Sequence, residues 1–207
     1  SVTDTVSIGA GYANHVWYSL ENDEVGSAPK NNWDVAFETS GYGTSVHLNA
    51  EGGAELWVYS TDTTEWSTVD TTGISALTKL YNSDTTWAIG AFDGIADPND
   101  DFDQGWGTYS LATHTVTGDK IYVIKLTDGS YQKIWIKSLA SGTFTFRHAA
   151  IDGSGDMTHS ITKADYNTKN FVAYSLVNHS VIDREPASDD WNLVFGSYFA
   201  FVDDGNG

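Results

Sequence analysis

Apolar and polar positions alternate with a period of two over several short stretches of the chain. Trp33, Val35 and Phe37 alternate with Asp34, Ala36 and Glu38, and Val16, Tyr18 and Leu20 do the same just upstream. Successive side chains of a strand point to opposite faces, so this spacing predicts strands with one buried face. Leu56-Trp57-Val58-Tyr59 is apolar on both sides and fits a central strand. Ile121 to Leu126 and Tyr131 to Ser138 flank Asp128-Gly129. That pair supplies the positive φ angles of a tight hairpin turn. Thr143 to Arg147 follows as the third strand of a meander. Helix is scarce: Ile74 to Tyr81 and Lys163 to Lys169 have room for two turns at most.

The pattern also repeats. Val16-Trp17-Tyr18-Ser19-Leu20 returns as Val172-Ala173-Tyr174-Ser175-Leu176. Trp33-Asp34-Val35-Ala36-Phe37 returns as Trp191-Asn192-Leu193-Val194-Phe195, with Pro29 and Pro186 shortly upstream. Each copy is expected to be a strand, a polar turn and a second strand whose Trp and Phe face the core. Residues 12–42 and 171–200 would then form two related hairpins inside a single domain spanning 1–207. Trp33, Phe37, Trp191 and Phe195 are all expected in that core.

Composition narrows the class. Thr, Val, Tyr, Trp and Phe are abundant, with 8 Trp and 11 Tyr, which predicts an all-β chain. Its 207 residues suffice for one large β domain with a substantial core. No apolar run is long enough to span a bilayer, and Ser1-Val2-Thr3-Asp4 opens without a basic segment leading into an apolar one. The expectation is a soluble chain whose export signal has been removed, with no membrane insertion.

The 28 Asp+Glu against 10 Lys+Arg give a net charge of -18. Such a surface repels phosphate backbones and argues against nucleic acid as a partner. Without cysteine, a disulfide scaffold, thiolate metal ligands and cysteine nucleophiles are excluded. The chain has no Gly-x-Ser-x-Gly, no His-Glu-x-x-His and no phosphate-cradling Gly-rich loop. A binding role is therefore expected rather than an enzyme.

Val6-Ser7-Ile8 leading to Tyr12, the Tyr18-Ser19-Leu20 strand, and Asn32-Trp33-Asp34-Val35-Ala36-Phe37 carry a family resemblance. Lys120 to Ser138 running into Gly142-Thr143-Phe144-Thr145-Phe146 looks like the closing meander of the same family. On these segments the chain resembles the HmuY-like haem-binding proteins of the Bacteroidetes, which are secreted or surface-tethered. The resemblance implies a twisted antiparallel β-sandwich with haem held between long loops, commonly by two axial histidines. Residues 151–207 extend beyond the compact family pattern. Such longer members look like cargo of the type IX secretion pathway, whose sorting tail would follow this chain. The implied location is outside the cell, either secreted or on the outer surface.

Three binding chemistries follow. Haem needs a nitrogen or sulfur donor over an apolar slot. Within Asp84 to Thr117, where the family builds its pocket, the sequence holds one histidine, His114, and no methionine. His114 is therefore the haem-ligand candidate, with Trp106 and Tyr109 as slot walls and Met157 and His159 as more remote donors. Calcium is the second chemistry. Asp97, Asn99, Asp101 and Asp103 place oxygen donors at alternate positions in the Gly- and Asp-rich loop from Phe92 to Gly107, as hard-cation loops do. A solvated acidic turn would have the same sequence. The third is a calcium-stabilised surface or adhesion module that recognises glycan or protein, with Trp66, Trp87 and Trp106 as stacking residues. His47 is expected to face solvent or another sheet, and His148, on a face with Phe144 and Phe146, to be a satisfied half-buried side chain.

Overall fold

The computed structural model describes residues 3–200. Within them the chain is all-β, with antiparallel strands in three sheets and only short 3-10 turns as helix. The predicted hairpin joins β9 (Ile121–Lys125) to β10 (Tyr131–Ala140), with Gly129 at φ 86 and Asp128 not among the positive-φ residues. Ser141 and Gly142, both at positive φ, then turn the chain into β11 (Thr143–Ala150). β12 (Met157–Thr162) adds to β11, and β5 (Glu55–Ser60) with β6 (Lys79–Leu80) adds beyond β9. β10 changes partner along its length. Tyr131–Ile134 pairs with β9, and Ser138–Ala140 pairs with β8 (Thr115–Gly118), which forms a hairpin with β7 (Gly107–Ser110). Gly118 permits this crossing, because a Cβ there would stand 1.6 Å from the Ile136 carbonyl oxygen.

The sequence repeat builds the other two sheets. One contains β14 (Ser180–Ile182), β13 (Phe171–Ser175), β3 (Val35–Glu38) and β4 (Val46–Leu48), in that order. The other contains β15 (Leu193–Phe195), β1 (Asn14–Ser19) and β2 (Asp23–Pro29). The expected pairing inside each copy does not form. Each Tyr-containing strand makes a hairpin with the short strand after it, while the strand following each Trp crosses to the other copy.

The crossed registers match residue for residue. Val16 faces Phe195 and Val172 faces Phe37; Trp17 faces Val194 and Ala173 faces Ala36; Tyr18 faces Leu193 and Tyr174 faces Val35. Polar contacts repeat as well. Asp34 N–H donates to Tyr174 O as Asn192 N–H does to Tyr18 O. Asp34 Oδ2 accepts from Leu176 N–H at 2.8 Å, and Asn192 Oδ1 accepts from Leu20 N–H at 2.9 Å.

The main core lies between the four-stranded sheet and the large sheet. Phe37 packs with ring centroids 5.1 Å from Phe144 and 4.8 Å from Phe146. The expectation of one buried face for the 33–38 strand is corrected here. Val35, Ala36 and Phe37 are all buried, because Ala36 packs with Trp33 and Ala173 against the sheet's outer side. The copies also differ in burial: Trp33 and Phe37 are core residues, whereas Trp191 is half-buried and Phe195 is exposed. The strand that follows Trp191, β15, lies at the edge of the three-stranded sheet.

Candidate functional site

The two repeat-built sheets face one another across a pocket of about 420 Å³. His15 and Trp17 of β1 share one face of their strand and meet Ala36 of β3, His47 of β4, and Phe171 and Ala173 of β13. Trp33 and Trp191, equivalent in the repeat, both line it. The copies differ where Trp17 in one corresponds to Ala173 in the other. A large residue against a small one leaves space that two tryptophans would fill. Ser83 to Trp87 and Arg184 close the sides, and Trp87, 59% exposed, stands at the mouth.

The pocket walls are mostly apolar, with Arg184 as the cation and Glu51, Asp84 and Glu185 as carboxylates in the lining. The Arg184 guanidinium lies 5.3 Å from the ring centroids of both Trp17 and Trp33, within cation–π range. Its Nη2 donates to Pro29 O at 3.2 Å, and both Nη atoms are 3.4 Å from His15 Nδ1. Among the described residues no carboxylate lies within ion-pair distance of it. Glu51 and Glu185 are near, but Glu185 accepts from the backbone of Asn170 and Phe171, and Glu51 is 3.8 Å from His15 Nε2. Burial presses Arg184 down to about 10, so it remains a cation at neutral pH. Burial, and then the Arg184 charge, press His15 down to about 4, and burial does the same to His47. Both imidazoles are neutral near pH 7. Arg184 Nε, Trp33 Nε1 and Trp191 Nε1 are buried donors without a partner among the described residues. Each such group costs about 1–3 kcal/mol unless something accepts from it.

Of the binding candidates singled out from sequence, Trp87 alone lies at this pocket. His114 is exposed in the turn between β7 and β8 at φ 53, with Nδ1 2.9 Å from Tyr109 Oη. Trp106 is no slot wall: it is fully buried in the main core, and its Nε1 donates to Thr44 O at 2.9 Å. Met157 is an exposed strand residue. Trp66 is buried between the Lys133 and Arg147 cations, with its Nε1 donating to Asp156. Only Trp87 of the three stacking candidates is exposed.

In the acidic loop, Asp97 Oδ1 accepts from Asn99 N–H, and Asp103 accepts from Asp97 N–H and Gly105 N–H. The carboxylates of Asp97, Asp101 and Asp103 do not converge. Among the described residues, the one group of three or more metal-ligating side chains is His148, His159 and His179. His148 is fully buried rather than half-buried, and its Nε2 is unsatisfied.

No protein-family model, curated protein or solved structure matches this chain. The site therefore stands on its own geometry. The repeat was the sequence signal for it, since Trp33, Ala36, Ala173, Trp191 and Val194 all line the pocket. Arg184 carried no such signal. No helix among the described residues is long and apolar enough to cross a membrane.

Proposed function

We propose that the protein is a binding protein whose pocket takes a small ligand with a flat apolar face and an anionic oxygen group. One observation carries this: the Arg184 guanidinium is held against Trp17 and Trp33, and no carboxylate of the described residues lies within ion-pair distance of it. A partly desolvated cation with no direct ion pair is costly, and a ligand carboxylate would relieve that cost bidentately. The tryptophans offer flat surfaces, and the free indole donors suit further oxygens. The pocket's volume lies in the range of small-molecule sites.

Haem, with a planar ring and propionates, satisfies these requirements, as does an acidic sugar. This reading keeps the ligand class implied by the HmuY-like resemblance and moves it from His114 to the His15–His47 pocket. It also keeps a secreted or surface setting, which the acidic composition and that resemblance favour. The test is a titration with haemin, followed by Soret absorbance and tryptophan quenching, beside one with a glucuronate-bearing oligosaccharide. Saturable binding of either, weakened in Arg184→Met, supports the proposal. Binding that is equal in Arg184→Met, or absent for both, overturns it.

A further inference from the structure

Away from the pocket, on the opposite side of β13, three imidazoles meet at one end of the main core. His148 on β11 and His159 on β12 project from the same face of the large sheet as Phe146. His179 reaches them from the β13–β14 turn. The His148 ring centroid is 5.3 Å from that of His159 and 5.2 Å from that of His179. One ring nitrogen from each lies within 4.8 Å of the others.

We propose that His148, His159 and His179 form a binding site for a transition-metal ion of the zinc class. Tetrahedral zinc with Zn–N bonds of about 2.0–2.1 Å sets its ligand nitrogens about 3.3 Å apart. Small rotations, chiefly of the exposed His179, close that difference. His148 Nδ1 lies 2.8 Å from Gln132 Oε1, an acceptor, so Nδ1 carries the proton and the Nε2 lone pair is free. A hydrogen bond on the far nitrogen is how proteins orient a metal-bound imidazole.

The strongest independent sign is what the site leaves unsatisfied. His148 Nε2, His159 Nε2 and the neighbouring Tyr174 hydroxyl are all buried without a partner. No described group donates to or accepts from them, whereas a metal ion and its bound water would satisfy all three. Three imidazoles with no carboxylate suit zinc, copper or nickel rather than calcium or magnesium. Exposed His179 marks the open side, where a fourth position would face solvent.

His179 also makes the test clean. It is exposed at φ 53, a conformation that asparagine tolerates, so His179→Asn should fold as the parent does. The full chain, stripped with chelator, is titrated with zinc and, separately, with cobalt(II). One zinc per chain and a cobalt visible spectrum of four- or five-coordinate nitrogen type are expected. His179→Asn should bind zinc about tenfold or more weakly, and His159→Gln should do the same if it folds. A His114→Ala control should bind as the parent does. Less than a stoichiometric zinc uptake, or unchanged affinity in folded His179→Asn, overturns the proposal.

Discussion

Asp34 and Asn192 hold the same place in the two copies, and replacing Asp34 with Asn measures how differently those places are used. Asn192 is exposed and its single oxygen accepts one amide. Asp34 is 1% exposed and uses both oxygens. Oδ2 takes Leu176 N–H at 2.8 Å, and Oδ1 takes Thr127 N–H and Oγ1 at 3.2 and 3.1 Å. It therefore ties β3 to the end of β13 and to the β9–β10 turn. In Asp34→Asn the shape is kept, but one oxygen becomes an amino group. Whichever way the amide turns, a donor faces a buried N–H that it cannot accept from. Losing a bond to a charged acceptor is worth about 1.5–3 kcal/mol, and an unsatisfied buried N–H costs about 1–3 kcal/mol. These overlap, so about 3 kcal/mol of destabilisation is expected. At about 2–4 °C per kcal/mol for a chain of this size, the melting temperature should fall by about 6–12 °C. Asn192→Ala, exposed and with one bond to lose, should cost less than about 1 kcal/mol. Calorimetric melts of both variants beside the parent at pH 7 decide it. An Asp34→Asn midpoint within about 2 °C of the parent would refute the two-sided role.

Three further outcomes are expected. Burial pushes the Asp93 carboxyl up to about 7, although Ser45 and the Val46 and Gly90 amides donate to it. A folded value above the unfolded one means that stability is fullest below about pH 4 and is lost as pH rises through 7. Relative to Asp93→Asn, denaturant unfolding of the parent should weaken by an order of 4 kcal/mol between pH 4 and pH 8, and a flat difference would contradict this. Gly118→Ala forces a Cβ onto the Ile136 carbonyl and should cost about 3 kcal/mol or more, read as a lower urea midpoint. Trp87→Ala removes an exposed ring at the pocket mouth, so it should leave the melting temperature nearly unchanged while weakening ligand binding.

Much of the fold was legible because it is local. Asp128-Gly129 carries its turn in two residues, and β9 to β11 follow in chain order. The crossed pairing was not legible, because nothing in the 33–37 strand says whether its partner is residues 16–20 or 172–176. Both share the pattern Val-x-Tyr-Ser-Leu. Matching Trp and Phe positions likewise cannot tell that Trp33 is buried while Trp191 is half-exposed, since burial depends on what the other sheets cover. At the sites, the shared face of Phe146 and His148 was readable from alternation. That His179 joins them from a distant turn was not, nor was the placement of Arg184 over two tryptophans.

The most direct test of the pocket uses the tryptophans themselves. Trp17, Trp33, Trp87 and Trp191 line it, while Trp57, Trp66, Trp106 and Trp135 do not. With 8 Trp in the chain, each indole N–H gives its own signal in a nitrogen–proton correlation spectrum of labelled protein. On titration with glucuronate-bearing oligosaccharide, or with a diamagnetic zinc porphyrin bearing propionates, the signals of Trp17, Trp33, Trp87 and Trp191 should move together, and the other four should stay. Trp33 and Trp191 should move most, since their free N–H groups gain an acceptor. Shifts confined to Trp57, Trp66, Trp106 or Trp135, or no saturable shift with either probe, would contradict the assignment of this pocket as the binding site.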